Sequence, residues 1–208
     1  AILSQKYDIL LVDPPWRYAN WSDKAHGASV SQFPCMTQEQ LLSCAFGSLA
    51  ADNAVFLLWA TLPQLPKAIE CLNQWEVEYV TAIPWVKTAP SSGDIYTGIG
   101  FWVQQCCELL LVARRGTMGA NRENPQIGFI VVDIERVFYA PRSRHSEKPL
   151  PVQEWIEAKF PDKRMLELFA RTRRSGWFSL GNELNAHFVE QSVICIKCGH
   201  TWPLMPIV

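Results

Sequence analysis

No stretch of this sequence approaches the roughly 18 consecutive apolar residues a membrane-spanning helix requires, so no membrane partner is expected. No charged, apolar and small-residue leader opens the chain, and its first residue, Ala1 rather than Met, suggests trimming. The seven cysteines are an odd number without regular spacing, which argues against a disulfide scaffold. Cys35, Cys44, Cys71, Cys106 and Cys107 lie in or near apolar stretches. They read as small core residues in a reducing, cytoplasmic compartment. Gly98 and Gly100 lack the strand–turn–helix setting of a dinucleotide fingerprint, which sets aside a nicotinamide-dependent oxidoreductase. Repeats and low-complexity segments are absent, and no linker divides the first 185 residues.

What remains is a chain of 208 residues, 49% apolar, with nine tryptophans. That is enough for one large domain, or one domain with an appendage. Net charge is −1, but it is unevenly spread. Residues 1–113 carry −5 and residues 114–174 carry +5, with arginines at 114, 115, 122, 142, 144, 171, 173 and 174. Such segregation suits a face that meets phosphates, the alternative being several solvated loops with arginine on them.

Apolar runs alternate with helical patterns. Strands are expected at Ile9–Val12, Ala54–Trp59, Tyr79–Val86, Glu108–Ala113, Met165–Phe169 and Trp177–Leu180, with extended pieces in Phe129–Ala140. Thr37 and Gln40 form a capping-box pattern, which predicts a helix running to about Leu49. Further helices are expected at Pro63–Trp75 and Pro151–Phe160, and a helical turn at Phe101–Cys106. Arg17–Pro34 reads as a long loop over the sheet top, Lys87–Gly100 as a loop long enough to be a lid, and Arg115–Gly128 as a further long loop. Strands alternating with helices imply an α/β fold with a largely parallel sheet.

The first strand ends at Asp13-Pro14-Pro15-Trp16, because two prolines cannot continue a ladder. Ligands of open α/β sheets sit just beyond a strand's carboxyl end. Asp13 and the Pro14 carbonyl, held by ring-fixed φ angles, offer two preorganised acceptors for the two N–H bonds of a nucleobase amine. Trp16 could stack on that base. The bland reading of the same residues is a strand-to-loop turn with a capping Asp and a core Trp.

Two further blocks accompany this turn: Arg164-Met165-Leu166-Glu167-Leu168-Phe169-Ala170-Arg171, and Trp177-Phe178-Ser179-Leu180-Gly181-Asn182-Glu183. In this order the three blocks resemble the DPPW-type adenine-N6 methyltransferases over roughly residues 7–184. That family includes the catalytic subunit of the eukaryotic mRNA adenosine methyltransferase and many bacterial and phage DNA enzymes. The resemblance implies a Rossmann-like S-adenosylmethionine-dependent methyltransferase fold, mostly parallel and flanked by helices, with permuted motif order. It makes Asp13, Pro14, Pro15 and Trp16 the catalytic turn, with Asp13 also near the cofactor. It assigns Lys148, Glu167, Leu168, Phe169, Arg171, Asn182 and Glu183 to S-adenosyl-L-methionine. Lys87 and Glu108, in the family's lid and the stretch after it, fall on the substrate side with Trp16, Arg142 and Arg144. Glu108 reads equally as a satisfied polar strand end, and Lys148 as bland surface charge. Thr172-Arg173-Arg174 replaces the Pro-His-Asn stretch of the eukaryotic subunit, so contacts from that loop do not carry over.

The expected catalytic domain is 1–186, followed by a tail, 187–208. Cys195, Cys198 and His200 resemble a single zinc knuckle, with too few ligands for a closed tetrahedral site, so the main expectation is no metal. The implied function is transfer of a methyl group to the N6 amine of adenine in nucleic acid, DNA ahead of RNA. A non-catalytic nucleic-acid-binding subunit is the alternative from another class, and a homo-oligomer or a partner subunit fits either reading.

Overall fold

The structure is a computed structural model describing residues 5–18, 35–98, 102–117, 137–141, 147–181, 184, 192–194 and 201–203. Seven strands form one sheet: β1 (Tyr7–Val12), β2 (Ala50–Thr61), β3 (Glu78–Thr88), β4 (Cys107–Arg115), β5 (Phe138–Pro141), β6 (Met165–Leu168) and β7 (Trp177–Leu180). Their spatial order is β5-β3-β4-β2-β1-β6-β7. All neighbours pair parallel except β4, which is antiparallel to both β2 and β3. The sheet is thus mostly parallel with one reversed strand. β1 lies between β2 and β6, where the strand order reverses, and that is the switch point at which such sheets bind ligands.

Helices cover both faces. On one side α1 (Gln38–Ser43) and α2 (Leu65–Gln74) bury Leu41, Ala68, Cys71 and Leu72 against Leu10, Val12, Phe56 and Leu58. On the other, α3 (Leu150–Lys159) buries Val152 and Ile156 against Ile9, Leu11, Val55, Leu57, Leu110 and Val112. Side chains alternate across a strand. Counting onward by twos from these α3-side residues places Asp13, Thr61, Lys87, Glu108 and Glu167 on that same face. Because β4 runs backwards, its beginning rather than its end meets the carboxyl edge of the parallel strands, and that brings Glu108 there.

Several expected boundaries move. The capping box is formed: Gln40 N–H donates to Thr37 Oγ1, and Thr37 N–H to Gln40 Oε1. Its helix ends at Ser43, however, and residues 46–49 continue as a 3₁₀ turn. Cys44 is extended and ends the helix, and in the turn that follows Gly47 has no room for a side chain, since a Cβ there would lie 2.0 Å from the Trp75 carbonyl oxygen. No helical turn forms over residues 102–106, whereas the loop after β3 folds back on itself through Lys87 N–H to Cys106 O and Gly98 N–H to Gln105 O. Phe101 lies outside the described residues, as do most of the 17–34 and 115–128 loops. No helix among the described residues is long and apolar enough to cross a membrane. β8 (Ser192–Ile194) and β9 (Thr201–Pro203) form a separate antiparallel pair. Cys195, Cys198 and His200 lie between them, outside the described residues.

Candidate active site

The turn after β1 is fixed by four hydrogen bonds. Asp13 N–H donates to Leu168 O (3.3 Å), Trp16 N–H to Pro14 O (2.8 Å), and Met36 N–H to Pro15 O (2.9 Å). The fourth comes from the Trp16 indole, whose Nε1–H donates to Trp59 O at 3.0 Å. Trp16 is 6% exposed and belongs to the core on the α1–α2 side. The free stacking face expected of Trp16 is therefore not presented. Its ring is consumed in packing, and its N–H bolts the turn to β2. The Pro14 carbonyl already serves Trp16, which leaves one of its two lone pairs for another donor.

Asp13 and Glu108 meet across one ammonium. Lys148 Nζ lies 2.8 Å from Asp13 Oδ1 and 3.3 Å from Glu108 Oε2. Lys87 Nζ approaches Glu108 Oε1 at 2.6 Å. Both lysines also stand over indoles: Lys148 is 5.7 Å from the Trp59 ring centre, and Lys87 is 5.2 Å from that of Trp85. Side-chain exposure is 20% for Asp13, 15% for Lys148 and 8% for Glu108, so water screens these pairs weakly.

Protonation follows from that burial. For Asp13, burial outweighs the pull of Lys148 and raises its carboxyl above the usual aspartate value, with Glu108 adding to the rise. For Glu108, burial also raises, but Lys148 and Lys87 together hold the group below its ordinary range. Burial opposes the charge on Lys148, yet Asp13 and Glu108 overcome it and keep the ammonium firmly protonated. The result is a fixed cation between two acids.

Glu167, toward the end of β6, faces the same crevice. It is raised to about 7, first by burial and then by the charge of Asp13, with Arg174 and Gln153 opposing. Gln153 of α3 donates to Glu167 Oε2 at 2.9 Å. Asp13, Trp59, Lys148, Gln153, Glu167, Phe169 and Arg171 help line this open crevice. Phe169 turns out of β6 at φ +64, an uncommon conformation for a bulky residue and one that concentrates at ligand sites. Leu168 is buried in the sheet and contributes its carbonyl to Asp13 rather than its side chain. Gly181 closes β7 against Ala170, where a Cβ would lie 1.8 Å from the Ala170 carbonyl oxygen.

Asp13, Lys148, Glu167, Phe169 and Arg171 thus share one crevice, with Glu108 joined to it through Lys148 and Lys87 through Glu108. Asn182, Glu183, Arg142 and Arg144 lie outside the described residues. The expected basic face is partly dismantled. Arg114 pairs with Glu78 (2.9 Å), Arg115 donates to Gly47 O and Trp75 O, and Arg174 forks onto Glu157. These three guanidiniums bind the chain's own acids and carbonyls instead of standing free for phosphate. Gln153 and Tyr18 were not singled out from sequence. An amide three residues into a helix carries no local signal of the acid it will meet, whereas a tyrosine two residues beyond Trp16 could have been noticed as a second aromatic on the same extended segment.

The MT-A70 family profile matches residues 7–183. An N(6)-adenosine-methyltransferase MT-A70-like protein of Arabidopsis thaliana is 31% identical over 182 residues, covering 86% of this chain and 24% of that protein. The human N(6)-adenosine-methyltransferase catalytic subunit METTL3 is 30% identical over 193 residues, covering 91% of this chain and 30% of the subunit. The Type II methyltransferase M.MunI of Mycoplasma sp is 26% identical over 203 residues, covering 89% of this chain and 81% of that enzyme. The chain spans about a quarter of the length of the plant relatives it matches.

Proposed function

Because this chain belongs to the MT-A70 family, we propose that it methylates the N6 amine of adenine in nucleic acid, using S-adenosylmethionine, with DNA ahead of RNA as substrate. The observation carrying this reading is that Asp13, at the end of β1, and Glu167, near the end of β6, line one crevice at the switch point of the sheet.

The chemistry of the crevice fits the cofactor. Lys148 would hold its carboxylate, Asp13 would accept from its ammonium, and Glu167 would accept from ribose hydroxyls. When bound, the cofactor supplies an electrophilic methyl on a sulfonium sulfur. The chain's own groups do the rest. Asp13 and the remaining lone pair of Pro14 O grip the two N–H bonds of the amine and orient its lone pair. Lys148 holds Asp13 in place, and Glu108, itself held by Lys87, holds Lys148. The raised basicity of Asp13 suits it to share the proton that the methylated amine must shed. Extrusion of the base from a duplex, or use of a single strand, is required for any of this.

DNA is placed first because M.MunI, a Type II methyltransferase, is matched over most of its length, while the adenosine methyltransferases are matched over less than a third. Parallel incubation with labelled S-adenosylmethionine and either DNA or RNA, followed by nucleoside analysis, tests activity and substrate together. Label in N6-methyladenine from DNA supports the reading, label from RNA alone reverses the order of substrates, and no label from either removes the activity.

A further inference from the structure

Beside the amine-binding turn stand two hydroxyls that the mechanism above does not use. Tyr18, two residues past Trp16, brings its phenol to 2.9 Å from Thr61 Oγ1 at the end of β2. Thr61 pairs in register with Glu108, and β2 is the direct neighbour of β1, which ends at Asp13. The backbone just before Tyr18 is pinned, since buried Gln64 donates from Nε2 to Arg17 O at 3.1 Å. The phenol is raised above its ordinary value, mainly by burial, and the charges of Glu108, Lys148 and Asp13 all act on it. Thr61 lies opposite Glu108 in the register, on the sheet face that also carries Asp13, and that sets the hydroxyl pair at the carboxyl edge of the sheet with the turn.

Hydrogen-bond counting gives the pair a use. Two hydroxyls carry two protons, and the bond between them consumes one. The other remains as a donor at the end of β2, the strand next to β1, which runs into Asp13 and Pro14. Adenine presents the complementary set: an amine with two N–H bonds on C6, flanked by ring nitrogens that can only accept. Guanine presents an oxygen at that carbon, which two acceptors repel.

We propose that the Tyr18–Thr61 hydroxyl pair reads the target base, donating the proton not spent between the two hydroxyls to the ring nitrogen on one side of the 6-amine of adenine, N1 or N7. This rests on the adenine-N6 reading above and assigns it the groups that choose the base. The donor matches N1 or N7 equally in chemistry, and substrate analogues separate the two.

The test uses the full chain and an oligonucleotide that it methylates, carrying adenine, 1-deazaadenine or 7-deazaadenine at the target position. Wild-type protein is expected to favour adenine over one of the analogues by about fivefold in kcat/KM, the worth of one neutral hydrogen bond. Tyr18→Phe is expected to lose that preference while falling by a similar factor on adenine itself. Thr61→Val, which removes the partner hydroxyl with little change of shape, is expected to weaken the same preference and serves if Tyr18→Phe folds poorly. An unchanged preference in both variants, or none in the wild type, overturns the inference, as does a lowered melting temperature with preference intact. Wild-type protein that methylates no adenine instead overturns the activity itself.

Discussion

Lys148 Nζ stands 2.8 Å from Asp13 Oδ1 and 3.3 Å from Glu108 Oε2, joining the end of one strand to the start of another that runs the opposite way. A single ammonium thus bridges two acids contributed by chain segments about a hundred residues apart, and Lys87 supplies Glu108 with a second cation.

Removing that ammonium leaves Asp13 and Glu108 facing each other as like charges. Lys148→Met is expected to lower unfolding free energy by about 3 kcal/mol, the scale for breaking a buried pair by deleting one partner. Urea denaturation at neutral pH measures it. A loss below about 1 kcal/mol would show that Lys87 alone suffices for the cluster.

Glu167 sets a pH dependence. Its folded pKa is raised to about 7 from an ordinary value near 4.5. The folded protein therefore holds a proton that the unfolded chain releases first. This contribution to stability is fully present below about pH 4.5 and is lost as pH rises through about 7. Glu167→Gln should flatten the fall in denaturation midpoint between pH 5 and 8, and an identical slope in the variant would remove the assignment.

Gly181 has no room for a side chain. Gly181→Ala would place a Cβ on the Ala170 backbone, at 1.8 Å from its carbonyl oxygen, so β6 and β7 must separate at the crevice. The expected result is a loss of about 3 kcal/mol or more, on the scale of severe overpacking, together with weakened S-adenosylmethionine binding by calorimetry. Wild-type affinity in a stable variant would contradict it.

Trp16 is predicted to act through position. Trp16→Phe keeps an aromatic ring but removes the donor to Trp59 O, which should cost about 1–2 kcal/mol. Activity should fall through kcat, because the turn carrying Asp13 loosens. A raised KM with unchanged kcat would instead indicate direct stacking on the base.

Local features were legible in the sequence and long-range ones were not. The β1 run and its Pro14-Pro15 stop announce themselves within a few residues, as does the Thr37–Gln40 capping box. The close approach of Gly47 to the Trp75 backbone, which leaves no room for a side chain, is something no reading of residues 37–49 reveals. The reversal of β4 is equally silent, since Cys107–Arg115 looks the same in either direction. Yet that reversal is what carries Glu108 to Lys148. A count of nine tryptophans does not say which of them pack and which border the site. Trp16 proved to be packing, while Trp59 and Trp85 lie beneath the two site lysines.

The most direct measurement compares wild-type protein with Asp13→Ala, incubated with methyl-labelled S-adenosylmethionine and adenine-containing DNA or RNA, then digested for nucleoside analysis. Labelled N6-methyladenine is expected from the wild type and none above background from a variant that remains folded by circular dichroism. Equal label from the two proteins would contradict the role given to this carboxylate and the mechanism built on it.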